Sequence, residues 1–365
     1  MPLFHLLLLL LSTLGIVVSA QAQTPPRHTY TLGINAYQGF LLVPSKNVAQ
    51  FAQTRPVGFE LFINKNTYGY SFWEQGYHCP DIGFSLTYTD YGHPVLGQSV
   101  GGTVYMDVPM VRRPRATLTF GLGVGLGYHT HPYRPPIETG NILLGTPVTL
   151  TMRTQLNYSY AFSSHWRGIL SAKLVHYSNA SYSKPNRGVN MPIINLGVSR
   201  QLGKQTPAYA TAAEVTAPEP YRRISYSVGV STGLKTLESQ GPLHNFVNLH
   251  AYTTLRLSAI SGLTGGLDVF LDQATRQYIL KHVAQERPDY RRVALVAGHE
   301  LFYQRLSLLT QVGVYLYRPF RSLYLPVYQR IGVRYAFTEH LLGNFTLKVH
   351  GGRAELVETG LGIRF

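Results

Sequence analysis

Two residues that can do chemistry together, His176 and Ser178, lie two positions apart in the alternating apolar and polar segment 173–202. Alternation of this kind predicts a β-strand, and side chains two apart in a strand project from the same face. A serine hydroxyl is a weak nucleophile until a base within hydrogen-bond reach takes its proton. The spacing therefore predicts a nucleophile and base pair, with Ser178 as the nucleophile and His176 as the base.

Polar residues follow this pair before the apolar alternation resumes at Pro192. They include Asn179, the run 184–188 and Asn190. A polar stretch that contains Pro and Gly predicts a turn. The chain should therefore return on the neighbouring strand, with Asn190 roughly opposite the pair.

The same alternation runs through the rest of the first half of the chain. No apolar run after the N-terminal segment approaches the ~18 residues of a membrane helix, although 45% of the chain is hydrophobic and only 13% is charged. Strands of about 9 to 11 alternating residues, rich in aromatic residues, are typical of transmembrane β-barrels. The sequence predicts an all-β, antiparallel transmembrane barrel rather than a soluble β-sandwich or lipocalin-like barrel. The predicted strands of the first half are 31–40, 57–66, 82–91, 99–111, 117–129, 148–162, 167–179 and 191–202.

The second half, 223–365, has a similar set of alternating segments. Residues 203–222 are rich in Ala, Pro and Thr and lack alternation, so they predict a linker after a first half that covers 23–202. Segment 341–350 is similar to 167–176, which indicates a diverged duplication of an eight-stranded barrel. Two small barrels, or one fused barrel of about 12 to 16 strands, would both fit.

Glycine spacing in the first half bears on the choice between these barrels, and the residues after His350 bear on whether the second half is active. Alternate glycines at 121–127 favour narrow barrels with crowded interiors. His350 aligns with His176, but Gly351 and Gly352 follow it where the first copy has Tyr177 and Ser178. The second copy is therefore expected to be inert.

Features of both ends predict export to the outer membrane of a Gram-negative bacterium. Residues 1–22 have the apolar run and the small residues at 20–22 of a secretory signal. Cys79 is the single cysteine, which excludes an internal disulfide and a cysteine-based zinc cluster. The sequence ends in Phe365, a common last residue of bacterial outer-membrane barrels.

The run HYSNA at 176–180, followed by KPN at 184–186 and by Gly188, resembles the signature of a known family. This is the outer-membrane lipid A 3-O-deacylase family, also called PagL-like or acyloxyacyl-hydrolase-like proteins. The resemblance is tight over 176–190 and looser over the strands of 28–202. It implies an eight-stranded barrel with a Ser-His-Glu triad on its lipid-facing outer wall. It also implies removal of an ester-linked acyl chain from lipid A.

The resemblance assigns roles to individual residues. His176 would be the base and Ser178 the nucleophile, with Asn179 and Asn186 in the oxyanion and positioning set. Where the family has its glutamate, 14 residues after the histidine, this chain has Asn190. An amide oxygen can orient an imidazole but carries no charge, and an Asp-to-Asn change in a well-studied triad costs about 10⁴ in rate. Asn190 is expected to permit activity without ensuring it, and Glu60 is an alternative carboxylate.

Charge favours the same class of substrate. The chain has 32 Lys and Arg against 17 Asp and Glu, a formal charge of +15. Cationic side chains bind the phosphates of lipid A and lipopolysaccharide through charge-assisted hydrogen bonds. The basic run 111–115 and Arg134 are candidates if they lie at a rim. An exported barrel is not expected to bind nucleic acid.

No metal or organic cofactor is expected, since His129 and His131 lack a third ligand at useful spacing and no phosphate-binding glycine loop is present. The sequence leaves two other functions open. One is a catalytically silent barrel that binds lipopolysaccharide, and the other is a channel for small solutes. A wide fused barrel would favour the channel, whereas an interior filled with side chains would favour the enzyme or the binder. The oligomeric state is not defined by the sequence.

Overall fold

A computed structural model describes residues 28–42, 46–134, 140–203, 207–215, 220–239, 241–283 and 289–365. The predicted signal segment, 1–22, lies outside the described residues. The chain forms two closed antiparallel barrels of eight strands each. The prediction of an all-β barrel protein is confirmed, and of the two architectures left open the structure has two small barrels.

The first barrel contains β1 (His28–Gly39), β2 (Val57–Thr67), β3 (Asp81–Asp90), β4 (Gln98–Arg112), β5 (Ala116–His129), β6 (Val148–Ala161), β7 (Trp166–Ser178) and β8 (Val189–Leu202). Each strand pairs with the next, and β1 closes the barrel against β8. We call the end where β1 begins and β8 ends the lower end, and the opposite end the upper end.

The second barrel contains β9 (Ile224–Lys235), β10 (His244–Arg256), β11 (Ser261–Asp272), β12 (Arg291–Tyr303), β13 (Leu306–Tyr317), β14 (Val327–Ala336), β15 (Leu341–His350) and β16 (Arg353–Arg364). It closes where β16 pairs with β9, and its upper and lower ends are defined in the same way. Among the described residues, two α-helices lie in connections, α1 (Phe72–Gly76) and α2 (Gln273–His282). None of the described helices is long and apolar enough to cross a membrane.

The alternation of apolar and polar residues in the sequence corresponds to the two surfaces of the barrel, one outer and one inner. On β1, Leu32 and Ile34 are exposed on the outside, whereas Asn35 and Tyr37 are buried inside. An apolar outer wall around a polar interior is the arrangement of a membrane-spanning barrel. The interior is crowded at the inward-facing Gly121, where an added Cβ would lie only 1.9 Å from Asp107 Oδ1.

Ion pairs cross the interior of the first barrel. Glu60 on β2 pairs with Arg153 on β6, at 2.6 Å between Oε1 and Nη1, and with Lys173 on β7. Asn35 Nδ2 donates a further hydrogen bond of 2.8 Å to Glu60. A polar cavity of about 150 Å³, partly lined by Tyr209 of the linker, extends through this interior toward the lower end. Toward the upper end, buried side chains such as Tyr37, Tyr177 and Met191 pack together inside the barrel.

The second barrel has a denser charged interior. Arg330 pairs with Asp268 at 2.8 Å and with Glu358 at 2.7 Å. Nearer the upper end, Lys235 pairs with Asp272 at 2.7 Å and with Glu355 at 2.6 Å. All of these side chains are buried, and their ion pairs join β9, β11, β14 and β16 inside the barrel.

His350, which aligns with His176 in the sequence, faces the interior of the second barrel. It lies at the upper end of β15, the seventh strand of its barrel, as His176 lies on β7. Its side chain is buried in the interior, where Nε2 lies 3.0 Å from Tyr315 Oη and Nδ1 lies 3.3 Å from Glu355. A register shift after Lys348 accompanies this change. His350 therefore lies on the strand that corresponds to β7, but it faces the interior whereas His176 faces the outside.

The barrels contact each other at corresponding ends. At the lower end, the Trp73 ring of α1 packs edge-on against Tyr303, with the centroids 4.5 Å apart. Tyr77 Oη lies within hydrogen-bond distance of two carbonyl oxygens of the second barrel, those of Ile260 and Phe302. At the upper end, the contact is made by the connection between β7 and β8, residues 179–188, which we call the site loop.

Candidate active site

His176 and Ser178 lie on the outer wall of the first barrel, at the upper end of β7. The even-numbered residues of this strand, such as Leu170 and Leu174, are exposed outside, whereas Lys173, like the other odd-numbered residues near it, faces inward. By this alternation, His176 and Ser178 both lie on the outer face of the barrel. Ser178 is only 8% exposed, because the site loop folds over it.

Asn190 faces His176 across the β7–β8 pair. The two residues are directly opposite in register, and His176 Nδ1 lies 2.8 Å from Asn190 Oδ1. An amide oxygen can only accept, so this hydrogen bond keeps the proton on Nδ1 and leaves the lone pair of Nε2 free. The imidazole is thus held in the tautomer that a general base requires.

Gly188 closes the site loop against the same imidazole. Its φ of +74° lies in the left-handed region that favours glycine. A Cβ at this position would lie 2.9 Å from His176 Cε1. Any larger residue would push against the ring, so Gly188 fixes how closely the loop approaches the imidazole.

Two N–H groups point at the hydroxyl of Ser178. The Ala180 backbone N–H donates to Ser178 Oγ at 3.1 Å, and Asn186 Nδ2 donates at 2.9 Å. Among the described residues, no hydrogen bond joins Ser178 to His176. Catalytic hydrogen bonds are often long before substrate binds and tighten in the complex. The two donors are placed to stabilise negative charge that develops on an oxygen next to Oγ.

Asn179 does not donate to Ser178 itself but forms hydrogen bonds to other residues of the site loop. Its backbone N–H donates to Asn186 Oδ1 at 3.3 Å, which turns the Asn186 amide so that Nδ2 faces Ser178. Its own Nδ2 donates to the Ser183 carbonyl at 2.9 Å. Asn179 is therefore placed to orient the loop, while Asn186 is the one of the two amide side chains that contacts the serine.

Glu60 is excluded as the third member of the site. It is 2% exposed and faces the barrel interior, where it is bonded to Arg153, Lys173 and Asn35. His176 lies on the outer wall, so the barrel wall separates them. The alternation along β2 already indicates that Glu60 faces inward, since its neighbours Phe59 and Leu61 are both exposed on the outside.

Other residues singled out from the sequence lie in different places. The basic run 111–115 lies at the lower end, opposite the site. Arg134 is exposed at the upper end, and Arg187 of the site loop is exposed beside the site. His129 is buried and bonded to Thr149, and no metal-binding cluster of three ligands occurs among the described residues.

Sequence reasoning missed the Ala180 N–H, and it named Gly188 in the signature without giving it a role. A backbone N–H has no signature in the sequence, and its direction depends on the loop. Ala180 and Ser181 both have positive φ, 52° and 65°, a conformation that non-glycine residues seldom adopt. A glycine after a polar turn was the available signal for Gly188.

The fold and the site together define a class of protein. It is a β-barrel with an apolar outer wall that carries a serine, a histidine and a polar orienting residue near one rim. Residues 57–199 match the family described as lipid A 3-O-deacylase (PagL). Residues 224–365 match the family described as acyloxyacyl hydrolase, C-terminal domain. The chain belongs to the PagL lipid A 3-O-deacylase family, with one matched domain in each barrel.

Solved structures of outer-membrane proteins are similar to the chain at low identity. Neisserial surface protein A is 8% identical with a TM-score of 0.33, over 47% of this chain and 96% of that one. A mutant of Rh. blastica porin is 10% identical with a TM-score of 0.19, over 93% of this chain and 100% of that one. CdiB from Acinetobacter baumannii is 9% identical with a TM-score of 0.19, over 94% and 60%. No curated protein matches the chain.

Proposed function

We propose that this protein is a serine esterase of the Gram-negative outer membrane that removes an ester-linked acyl chain from lipid A. Family membership supports the substrate class and the membrane. The observation that carries the mechanism is the His176–Asn190 hydrogen bond beside Ser178 on the outer wall. A lipid ester reaches this wall from within the membrane, without entering the barrel.

The reaction follows from the geometry of the site. His176 Nε2 takes the proton of Ser178 as Oγ attacks the acyl carbonyl carbon. The carbonyl oxygen becomes negative and is stabilised by the Ala180 N–H and by Asn186 Nδ2, which turn from Oγ to this oxygen. The carbon–oxygen bond to the sugar then breaks, and the sugar oxygen takes the proton from His176. Water, activated by the same histidine, releases the fatty acid from Ser178.

The surroundings of the site fit an amphipathic lipid. Below the site, the outer wall is apolar, with Leu174 and Leu196 exposed along the strands. Above it, Arg134 and Arg187 are exposed at the upper end. Acyl chains would lie along the apolar wall while the arginines pair with the phosphates of the headgroup.

The uncharged Asn190 favours one alternative, a barrel that binds lipopolysaccharide without cleaving it. An amide cannot stabilise the imidazolium as a carboxylate does. The rate of ester cleavage therefore distinguishes an esterase from a barrel that only binds lipopolysaccharide. A channel is disfavoured, because buried ion pairs around Glu60 and Arg330 cross the interiors of both barrels.

The test is mass spectrometry of lipid A from cells that express the wild type or one of two variants. The wild type should produce lipid A that lacks one acyl chain, whereas Ser178→Ala should not. Ser171→Ala is the matched control, since Ser171 lies on the same strand but faces the interior. Deacylation by a folded Ser178→Ala protein would exclude this nucleophile. Intact lipid A in cells with folded wild type, together with lipopolysaccharide binding, would favour the silent barrel.

A further inference from the structure

The site loop is bonded to the second barrel at Ser181. Ser181 Oγ donates to the Ala354 carbonyl at 2.7 Å, at the start of β16. In return, the Thr236 N–H, just after β9, donates to the Ser181 carbonyl at 3.4 Å. One residue of the loop is thus held from two strands of the other barrel.

A second attachment lies at Lys184. Its Nζ donates to the Leu237 carbonyl at 3.0 Å, and Ser239 Oγ donates to the Lys184 carbonyl at 3.4 Å. Burial lowers the pKa of the Lys184 amine, and the like charges of Lys235 and Arg187 lower it further. The Lys184 amine therefore takes part in the contact between the barrels rather than in binding a phosphate.

These attachments lie next to the two donors of the site. Ser181 follows Ala180, whose N–H donates to Ser178 Oγ. Lys184 lies two residues before Asn186, whose amide donates to the same oxygen. The backbone between them needs support, because positive φ angles at Ala180 and Ser181 persist only when their surroundings hold them.

We infer that the second barrel is a positioning element for the first. Through Ser181 and Lys184 it holds the Ala180 N–H and the Asn186 amide against Ser178. This role rests on the proposed function for its effect on catalysis, but the ordering of the loop does not depend on it. It also gives a role to a barrel whose own seventh strand turns His350 inward.

The experiment uses the full-length protein with Ser181→Ala and Lys184→Met combined, which removes both side-chain donors and keeps similar volumes. The matched control combines Ser164→Ala and Lys65→Met. Ser164 lies in a lower-end turn and Lys65 lies near the lower end of β2, so both are remote from the contact between the barrels at the upper end. Lys184→Arg keeps a donor and should behave nearly as the wild type.

The first measurement is amide hydrogen exchange of the site loop in detergent, followed by mass spectrometry. Exchange of 179–188 should become roughly tenfold faster in the double variant, since a loop with fewer contacts opens more often. Exchange of β7 should not change, and neither should any exchange in the control. Unchanged exchange of the site loop in the double variant would overturn the inference.

The second measurement is the kinetics of ester cleavage. Loss of one oxyanion donor costs about 10²–10³ in kcat, so two displaced donors should lower kcat by at least roughly tenfold with KM nearly unchanged. Faster exchange with unaltered kcat would mean that the second barrel orders the loop without positioning the donors, and would also overturn the inference. If the wild type cleaves no ester, the proposed function fails, and the exchange experiment alone decides whether the second barrel holds the loop.

Discussion

Replacement of Asn190 by aspartate should raise the turnover of this site. Aspartate has the shape of asparagine, so a carboxylate oxygen would take the place of Oδ1, 2.8 Å from His176 Nδ1. The hydrogen bond and the tautomer are kept, and only the charge is added. The substitution therefore separates the orienting role of the third residue from its electrostatic role.

The size of the effect can be bounded from this geometry. A carboxylate about 4 Å from the imidazolium charge gains about 4 kcal/mol at an effective dielectric constant of 20. That would correspond to a rate increase of about 10³. Both side chains are partly exposed, so solvent screens much of this energy, and roughly tenfold in kcat is the expected gain. Asn190→Ala removes the orienting bond and should lower kcat by roughly 10- to 100-fold.

The assay compares wild type, Asn190→Asp and Asn190→Ala on purified lipid A and on a chromogenic acyl ester. The double variant Asn190→Asp with Ser178→Ala controls for effects of the new charge on folding and lipid binding. The expected order of kcat is aspartate, asparagine, alanine. A fully active Asn190→Ala protein, or an aspartate variant slower than the alanine variant, would refute the role given to Asn190.

Three further outcomes are expected. His176→Ala combined with Ser178→Ala should lose little more activity than either single variant, because members of one catalytic unit are not additive; kcat/KM of all three checks this. Glu60→Ala should lower the free energy of unfolding by about 3–5 kcal/mol, since it leaves buried Arg153 and Lys173 unpaired. Activity per folded molecule should persist, and its loss would return Glu60 to the site. Gly188→Ala should lower kcat by roughly tenfold through displacement of the imidazole, at about 1–3 kcal/mol of strain; unchanged kinetics would show that the loop can yield.

The sequence alone was sufficient for the strands and for the common face of His176 and Ser178. The period of two is a local property, so the predicted strands 117–129 and 148–162 nearly coincide with β5 and β6. The same parity places His176 and Ser178 on one wall. The wall could also have been read from the neighbouring Lys173 and Leu174, because a charged residue inside and an apolar one outside suit a barrel in lipid.

Only the tertiary structure decided how these strands close and what surrounds the pair. Closure into two barrels depends on β8 pairing with β1 and β16 with β9, contacts between segments far apart in the chain. The register that brings Asn190 opposite His176 depends on the conformation of the whole site loop. His350 shows that strand alternation alone does not fix which way a side chain faces. It aligns with His176 but faces inward, and a register shift late in β15 accompanies this difference. The donor at Ala180 and the bonds from the second barrel arise from backbone geometry and long-range packing, which no local pattern of side chains encodes.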